Sequence, residues 1–336
     1  MIITRAPLRI SFVGGGTDIK EFYSKYPGRV ISTSIDKFVY VVSNGNTFSQ
    51  QFVIKYSEIE TTAHPSEIKH DRFKAALLKS EIKDGAEIAT FADLPTKTGL
   101  GSSSSFSVAL IKALNAAKGV KISKAKAAEE ACELEIDILK EPIGKQDQYA
   151  AAYGGLNVIT FNTDGTVNVE PIYIDYKLKS SLENHMMLFF TGITRSAGDV
   201  LVDQKKKIDE NFETYKKMSD SVLVFRDRLV KGDFKGMAEM LHEGWMRKRG
   251  LGASVTNTTI DEVYDSAIKA GAWGGKLLGA GGGGCVLLIV PPEKQAELQK
   301  TLEAKADKLD LKGFKRVHFG LTSSGVDVLF NSNNVL

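Results

Sequence analysis

Leu94-Pro95-Thr96-Lys97-Thr98-Gly99-Leu100-Gly101-Ser102-Ser103-Ser104-Ser105 follows a strand-like run at 86–91 and opens an apolar-periodic helix at 102–117. Glycines let such a loop turn successive N–H groups into one concavity. The helix behind them adds unpaired N–H groups and the positive end of its dipole. The stretch therefore predicts a polyphosphate cradle made of Pro95, Lys97, Gly99, Leu100, Gly101, Ser102, Ser103 and Ser104. A loop with an ordinary serine cap needs one serine, and here four stand in a row. It is not a Walker A loop, because no Gly-Lys-Ser/Thr follows the glycines. Gly271-Ala272-Trp273-Gly274-Gly275-Lys276 comes near that pattern but has Leu277 where a hydroxyl is required.

Working outward, residues 2–13, 30–42, 51–56, 86–91, 158–161 and 167–174 read as strands. Helical spacing predicts helices over 66–80, 102–117 and 124–140. After about residue 176 the texture changes. A strand at 187–190 precedes a mostly helical stretch over 200–249 and a helix at 258–270. Strand, glycine loop and strand follow over 276–290, then a charged helix at 294–309 and a last strand near 326–330. Strands and helices without strict alternation predict an α+β chain of two domains, 1–176 and 177–336.

The 336 residues are 43% apolar and 25% charged, which fits a folded chain with a sizeable core. Lys and Arg total 44 against 41 Asp and Glu, too even a balance to argue for nucleic acid or a membrane surface. Cys132 and Cys285 stand in apolar surroundings and read as buried thiols. The five histidines show no paired metal spacing. The first ten residues do not read as a signal peptide, and no run of about 18 apolar residues occurs. A reducing cytoplasm is the expected compartment, and the sequence leaves a homodimer open.

Two acids stand in unusual places. At 100° per residue, Ala127, Ala128, Ala131, Cys132, Ile138 and Leu139 share one face of the 124–140 helix, and Glu135 falls in its middle. A buried glutamate needs a partner, either a buried Arg or Lys or a metal. Asp147 opens a short apolar helix that stops at Gly154-Gly155, where it is either a cap or a functional acid. The run Gly279-Ala280-Gly281-Gly282-Gly283-Gly284 formally satisfies G-x-G-x-x-G. A buried strand follows it rather than a helix, so it fails as a dinucleotide fingerprint. Close approach of backbone to a ligand explains its length.

The serine loop resembles the second motif of the GHMP kinases. Ala6-Pro7-Leu8-Arg9 with Gly14-Gly15-Gly16-Thr17-Asp18 is similar to the family's first motif. Lys276-Leu277-Leu278-Gly279 with the following glycines is similar to its third. The resemblance implies a domain like that of ribosomal protein S5 followed by a ferredoxin-like domain, with the active site where they meet. It implies ATP and Mg²⁺ as cofactors, Ser103 and Glu135 as metal ligands, and Asp147 as catalytic acid-base group with Arg9 beside it. It further implies that the loop bearing Gly281, Gly282 and Gly283 borders the substrate.

In galactokinases the first motif reads Gly-Glu-His-Thr-Asp. Here glycines replace the Glu and His, while Asp18 remains to grip sugar hydroxyls. The exchange removes an acid and opens space for a longer sugar carrying a phosphate. The opening stretch 4–18 and Thr191-Gly192-Ile193-Thr194-Arg195-Ser196-Ala197 resemble the branch that phosphorylates the anomeric C1 hydroxyl of D-glycero-D-manno-heptose 7-phosphate. The expected substrate site is Gly15, Gly16, Thr17, Asp18 and Arg195, with Arg195 on the substrate phosphate. The partners implied are a sugar phosphate and ATP. A kinase of a neutral sugar such as L-fucose or galactose, and a non-catalytic sugar and ATP sensor, are the rival readings.

Overall fold

Two long strands rich in Ile, Val, Thr and Phe organise the first half of the chain. β1 (Ile2–Val13) pairs antiparallel with β2 (Gly28–Gly45). The length of β2 lets it serve two partners. Residues 39–45 pair with β5 (Ala86–Ala92), and residues 28–33 pair with β6 (Leu156–Phe161). β3 (Phe52–Lys55) lies parallel to β5 and carries β4 (Ile59–Thr62), while β7 (Val167–Pro171) extends β6. The computed structural model describes residues 1–45, 48–194, 202, 205–250 and 255–332.

A short helix, α1 (Lys20–Tyr23), follows β1. α2 (Asp71–Ser80), α3 (Ser102–Ala117), α4 (Lys124–Cys132) and α5 (Gln146–Tyr153) cover one face of the sheet. Val108, Leu110 and Leu114 of α3 pack there with Phe52, Ile88 and Ile159.

α6 (Tyr176–His185) leads to a second sheet of β8 (Met186–Phe190), β9 (Gly274–Leu277), β10 (Cys285–Ile289) and β11 (Lys315–Val317). Its order is β11-β8-β10-β9, all antiparallel. With α7 (Phe212–Val230), α8 (Phe234–Arg249) and α9 (Thr258–Lys269) in one crossover and α10 (Gln295–Lys308) in the other, this is the ferredoxin-like arrangement. β8 and β10 are buried on both faces. Leu188, Cys285, Leu287 and Ile289 face one core, and Met187, Phe189, Val286 and Leu288 face another.

The first of those cores joins the halves. Leu8, Ile10 and Phe12 of β1 pack with Leu188, Leu287 and Ile289 and with Val222 and Leu229 of α7. Phe12 stacks on Phe225 at 5.4 Å between ring centroids. Each such fully buried side chain contributes about 1.5–3 kcal/mol, so the cleft between the halves rests on a rigid base.

Three expectations change. The helix over 124–140 is α only to Cys132; Glu133–Ile138 is a π-helix in which the Leu139 N–H reaches back to Leu134 O. The wider turn shifts the phase, so Leu134 is buried and Ile138 is 42% exposed. The helical stretch over 200–249 is, among the described residues, broken at Gly232, where φ is +71° and Asp233 caps the next helix. The last strand, β12 (Asp327–Asn331), lies far beyond the expected boundary near 176 yet joins the first sheet, with Ile2 opposite Asn331. No helix among the described residues is long and apolar enough to cross a membrane.

Candidate active site

The hinge of the site is an ion pair between β1 and α5. Arg9 Nε and Nη2 donate to the two carboxylate oxygens of Asp147 at 2.8 and 2.9 Å. Arg9 Nη1 donates to the Gly99 carbonyl at 2.6 Å, and the Arg9 amide to Leu100 O at 3.0 Å. β1 thus fixes the serine loop and the acid together. Arg9 is 4% exposed, whereas Asp147 at 26% faces the cleft. Asp147 lies in the first turn of α5, not at its cap. Gly101 has φ of +76°, where a side chain is strained, and a methyl there would come within 3.2 Å of Arg9 Cγ and 3.4 Å of Asp147 Cγ, so glycine favours the loop's passage over the pair.

The other fixed acid is Asp18, which is buried. It accepts from the N–H groups of Gly16 and Gln146 and from Gln146 Nε2, each at 3.1 Å. Burial raises its pKa, the N–H of Gln146 opposes that rise, and the charge of Asp147 adds to it. Gly144 backs it so closely that a methyl there would sit 2.0 Å from Asp18 Oδ2.

These groups line a cleft of about 910 Å³. Lys97, Gly99, Gly101, Ser102, Ser103 and Ser104 border it on one side, and Gly15, Gly16 and Asp18 on another. Gly281 and Gly283 complete the wall, and Arg9 and Asp147 sit between. Other expected residues fall elsewhere. Leu100 is buried in the core between the sheets. The Thr17 hydroxyl is buried against Gly14 O and accepts from the Arg29 N–H at 3.0 Å. Pro95 is exposed outside the cleft lining. The Gly282 N–H is spent on Val255 O at 2.8 Å. Arg195 lies outside the described residues.

Ser103 and Glu135 do not come together as the resemblance implies. Ser103 lines the cleft, while Glu135 is wholly buried and does not. Its carboxylate accepts from Ser104 Oγ and Ser107 Oγ at 2.8 Å each, from Gln148 Nε2 at 2.5 Å and from Arg72 Nε at 3.2 Å. Arg72 also binds Glu141. A carboxylate filled by protein donors is the salt-bridge alternative, and this arrangement does not fit a Mg²⁺ ligand. No group of three or more acidic, His or Cys side chains suited to a metal occurs among the described residues.

Two cationic groups of the cleft carry no role in the motif reading, although Lys276 opens the third motif. Lys276 Nζ donates to the carbonyls of Ser11 and Phe12 at 3.1 and 2.8 Å, and Lys248 Nζ to Gly279 O at 2.7 Å. Burial, with Arg9 nearby, lowers Lys248 to about 8. Burial and the charge of Lys248 hold Lys276 well below the usual lysine range. A signal for Lys248 existed: it continues the buried stripe of Leu241 and Trp245 at i+7. At the far end, Tyr56, His70 and Phe106 form an aromatic corner, with His70 and Phe106 edge to face at 5.8 Å.

Comparison with known proteins supplies the family. Family models described as the GHMP kinases N terminal domain and GHMP kinases C terminal match residues 70–155 and 225–308. The D-glycero-alpha-D-manno-heptose 7-phosphate kinase of Campylobacter jejuni is 32% identical over 90% of this chain and 93% of its own. A galactokinase of Pyrococcus furiosus is 24% identical over 87% of this chain and 90% of its own. Among solved structures, a D-glycero-D-manno-heptose 1-phosphate kinase from Bacteroides thetaiotaomicron superposes with a TM-score of 0.80 at 24% identity, covering 98% and 99% of the two chains. Galactokinase of Lactococcus lactis complexed with galactose superposes at 0.78 and 16% identity, covering 98% and 95%.

Proposed function

The chain belongs to the GHMP kinases and is an ATP-dependent sugar kinase, and from that premise we propose that it phosphorylates the anomeric C1 hydroxyl of D-glycero-D-manno-heptose 7-phosphate, giving the 1,7-bisphosphate and ADP. The observation that carries the reading is the two-pronged Arg9–Asp147 pair set between the serine loop and the 279–284 glycine loop. The likeness to the Campylobacter jejuni enzyme supports the heptose.

In this reading ATP enters as its Mg²⁺ complex, with its base toward Tyr56, His70 and Phe106. Its phosphates lie along Lys97, Gly99, Gly101 and Ser102 to Ser104, where loop N–H groups and the start of α3 offset their charge. Asp18, held rigid by Gly16 and Gln146, accepts from sugar hydroxyls and turns the C1 hydroxyl toward Asp147. The C1 oxygen forms a bond to the γ-phosphorus as the bond from that phosphorus to the β–γ bridging oxygen breaks. The proton passes to Asp147, and ADP leaves with the bond's electrons. The transition state is loose, so alignment of the hydroxyl by Asp147 counts as much as removal of its proton. Arg9 offsets charge on the transferring group from beneath.

The test is ADP release with ATP and Mg²⁺ over heptose 7-phosphate, mannose 6-phosphate, galactose, L-fucose and homoserine. Turnover that requires heptose 7-phosphate supports the proposal. Turnover confined to a neutral sugar keeps the kinase and overturns the substrate.

A further inference from the structure

The cleft does not end at the glycine triplet. Behind Gly14 and Gly15 lies a second cavity of about 290 Å³, walled by β1, α7 and α8. Gly15, Lys248 and Lys276 border both spaces.

The cations of this annex are of two kinds. Arg228 is already paired with Asp233 at 3.1 Å and lies 3.9 Å from Glu239, and Arg247 is paired with Glu243 at 3.3 Å. Lys248 and Lys276 have no carboxylate partner among the described residues and touch only main-chain carbonyls. An ammonium has three N–H donors, so Lys248 keeps two and Lys276 one for an incoming group. Buried charge without a counter-charge is costly. Arg9 adds to the positive field at Lys248, and Asp18 is the acid that opposes it. The junction is therefore a built site for an anion.

The gate to it is Gly15. Gly14 and Gly16 have φ of +87° and +98°, and a methyl on Gly14 would lie 2.0 Å from Arg29 O, so the backbone itself demands glycine there. Gly15 has no such conformation, and the nearest atom to a methyl there would be Ser11 Oγ at 3.7 Å. A side chain would fit at this position; its absence leaves the passage open.

We propose that the annex seats the phosphate monoester at the end of the sugar opposite the reacting hydroxyl, with Lys248 as the residue that selects phosphorylated over neutral sugar and Lys276 supporting it. This rests on the sugar-phosphate reading above. Lys276 is anchored on the Ser11 and Phe12 carbonyls that lead into the glycine triplet, and Lys248 on Gly279, which touches Gly99. Both border the annex, which no residue of the serine loop lines, so the phosphate they face there is the substrate's own. The span from Asp147 past Asp18 to Lys248 is the path a sugar takes from its reacting end to its anionic end.

The experiment measures kcat/KM for heptose 7-phosphate and for the same heptose without its phosphate, in the whole chain and in Lys248→Met, Lys248→Arg and Gly15→Glu. Loss of a charged hydrogen bond predicts that the preference for the phosphorylated sugar falls about 10- to 100-fold in Lys248→Met, mostly through KM. Lys248→Arg keeps much of the preference, and Gly15→Glu loses it by closing the passage and adding negative charge. KM for ATP stays within about twofold, since a tenfold rise would correspond to about 1.4 kcal/mol of lost nucleotide binding. Retention of the preference in Lys248→Met overturns the proposal even if heptose 7-phosphate is the substrate. A rise in KM for ATP with no change for the sugar overturns it too, by giving the lysine to the nucleotide. Unmutated enzyme that turns over only neutral sugar sinks the substrate reading and this proposal together.

Discussion

The Cys285 amide donates to the Thr98 carbonyl at 2.9 Å, so the first residue of β10 hangs directly on the serine loop. Around that bond the two glycine loops are in backbone contact. A methyl on Gly99 would lie 2.6 Å from Leu278 O, one on Gly279 2.8 Å from Gly99 Cα, and one on Gly284 2.6 Å from Thr98 O. The serine loop of one sheet and the 279–284 glycine loop of the other form a single unit.

Gly99→Ala breaks that unit. It places a side chain at φ of +78° and against Leu278. The expected cost is at least about 1 kcal/mol of stability, with a larger loss of kcat than of heptose affinity. Thermal unfolding and steady-state kinetics on the variant check both, and unchanged kcat would mean the loops act independently.

Asp147→Asn keeps the shape and one donor-acceptor contact with Arg9 but loses the proton acceptor. We expect kcat to fall by roughly 10²–10⁴, with KM for ATP and sugar nearly constant. A fall below tenfold would mean that orientation of the hydroxyl, which Asn partly preserves, carries the step.

Glu135→Gln removes charge from a carboxylate that binds Arg72 and two serines of α3. The expected loss is about 1.5–3 kcal/mol of stability, read by denaturant unfolding. The Mg²⁺ titration should not move, since the carboxylate's lone pairs are already engaged. A sharply raised Mg²⁺ requirement would show that Glu135 releases Arg72 to meet the ion.

Lys248, lowered to about 8 by burial and by Arg9, must be charged to hold a phosphate. The profile of kcat/KM for the sugar phosphate should be level below about pH 8 and fall above it. In Lys248→Arg that fall should vanish, because guanidinium keeps its proton. Stability moves the other way. The folded chain releases this proton before the unfolded chain does, so the group's contribution to stability rises with pH between about 8 and 10.5.

Much of the site was legible because its chemistry is local. The Gly-Ser loop, Asp18 and the Asp147 segment each announce themselves within a few residues, and the structure brings them and Arg9 to one cleft. Other features depend on geometry that a fixed helical period does not carry. A π turn at Glu133–Ile138 left Glu135 buried but exposed Ile138, which the 100° reading had placed inside. Lys248 hid because a lysine ending an apolar stripe usually reaches for solvent. The pairing of β12 with β1 joins residues more than 320 apart, and no local pattern encodes such a partner.

That pairing bears on how the protein is made. The Ile2–Arg5 edge of β1 is synthesised more than 320 residues before β12, so it stays bare until residues 327–331 follow. An uncovered strand edge is a template for unwanted pairing. During translation the nascent chain therefore carries that exposed edge while the residues between the two strands are made, and a holding chaperone or fast elongation would raise the yield of native enzyme.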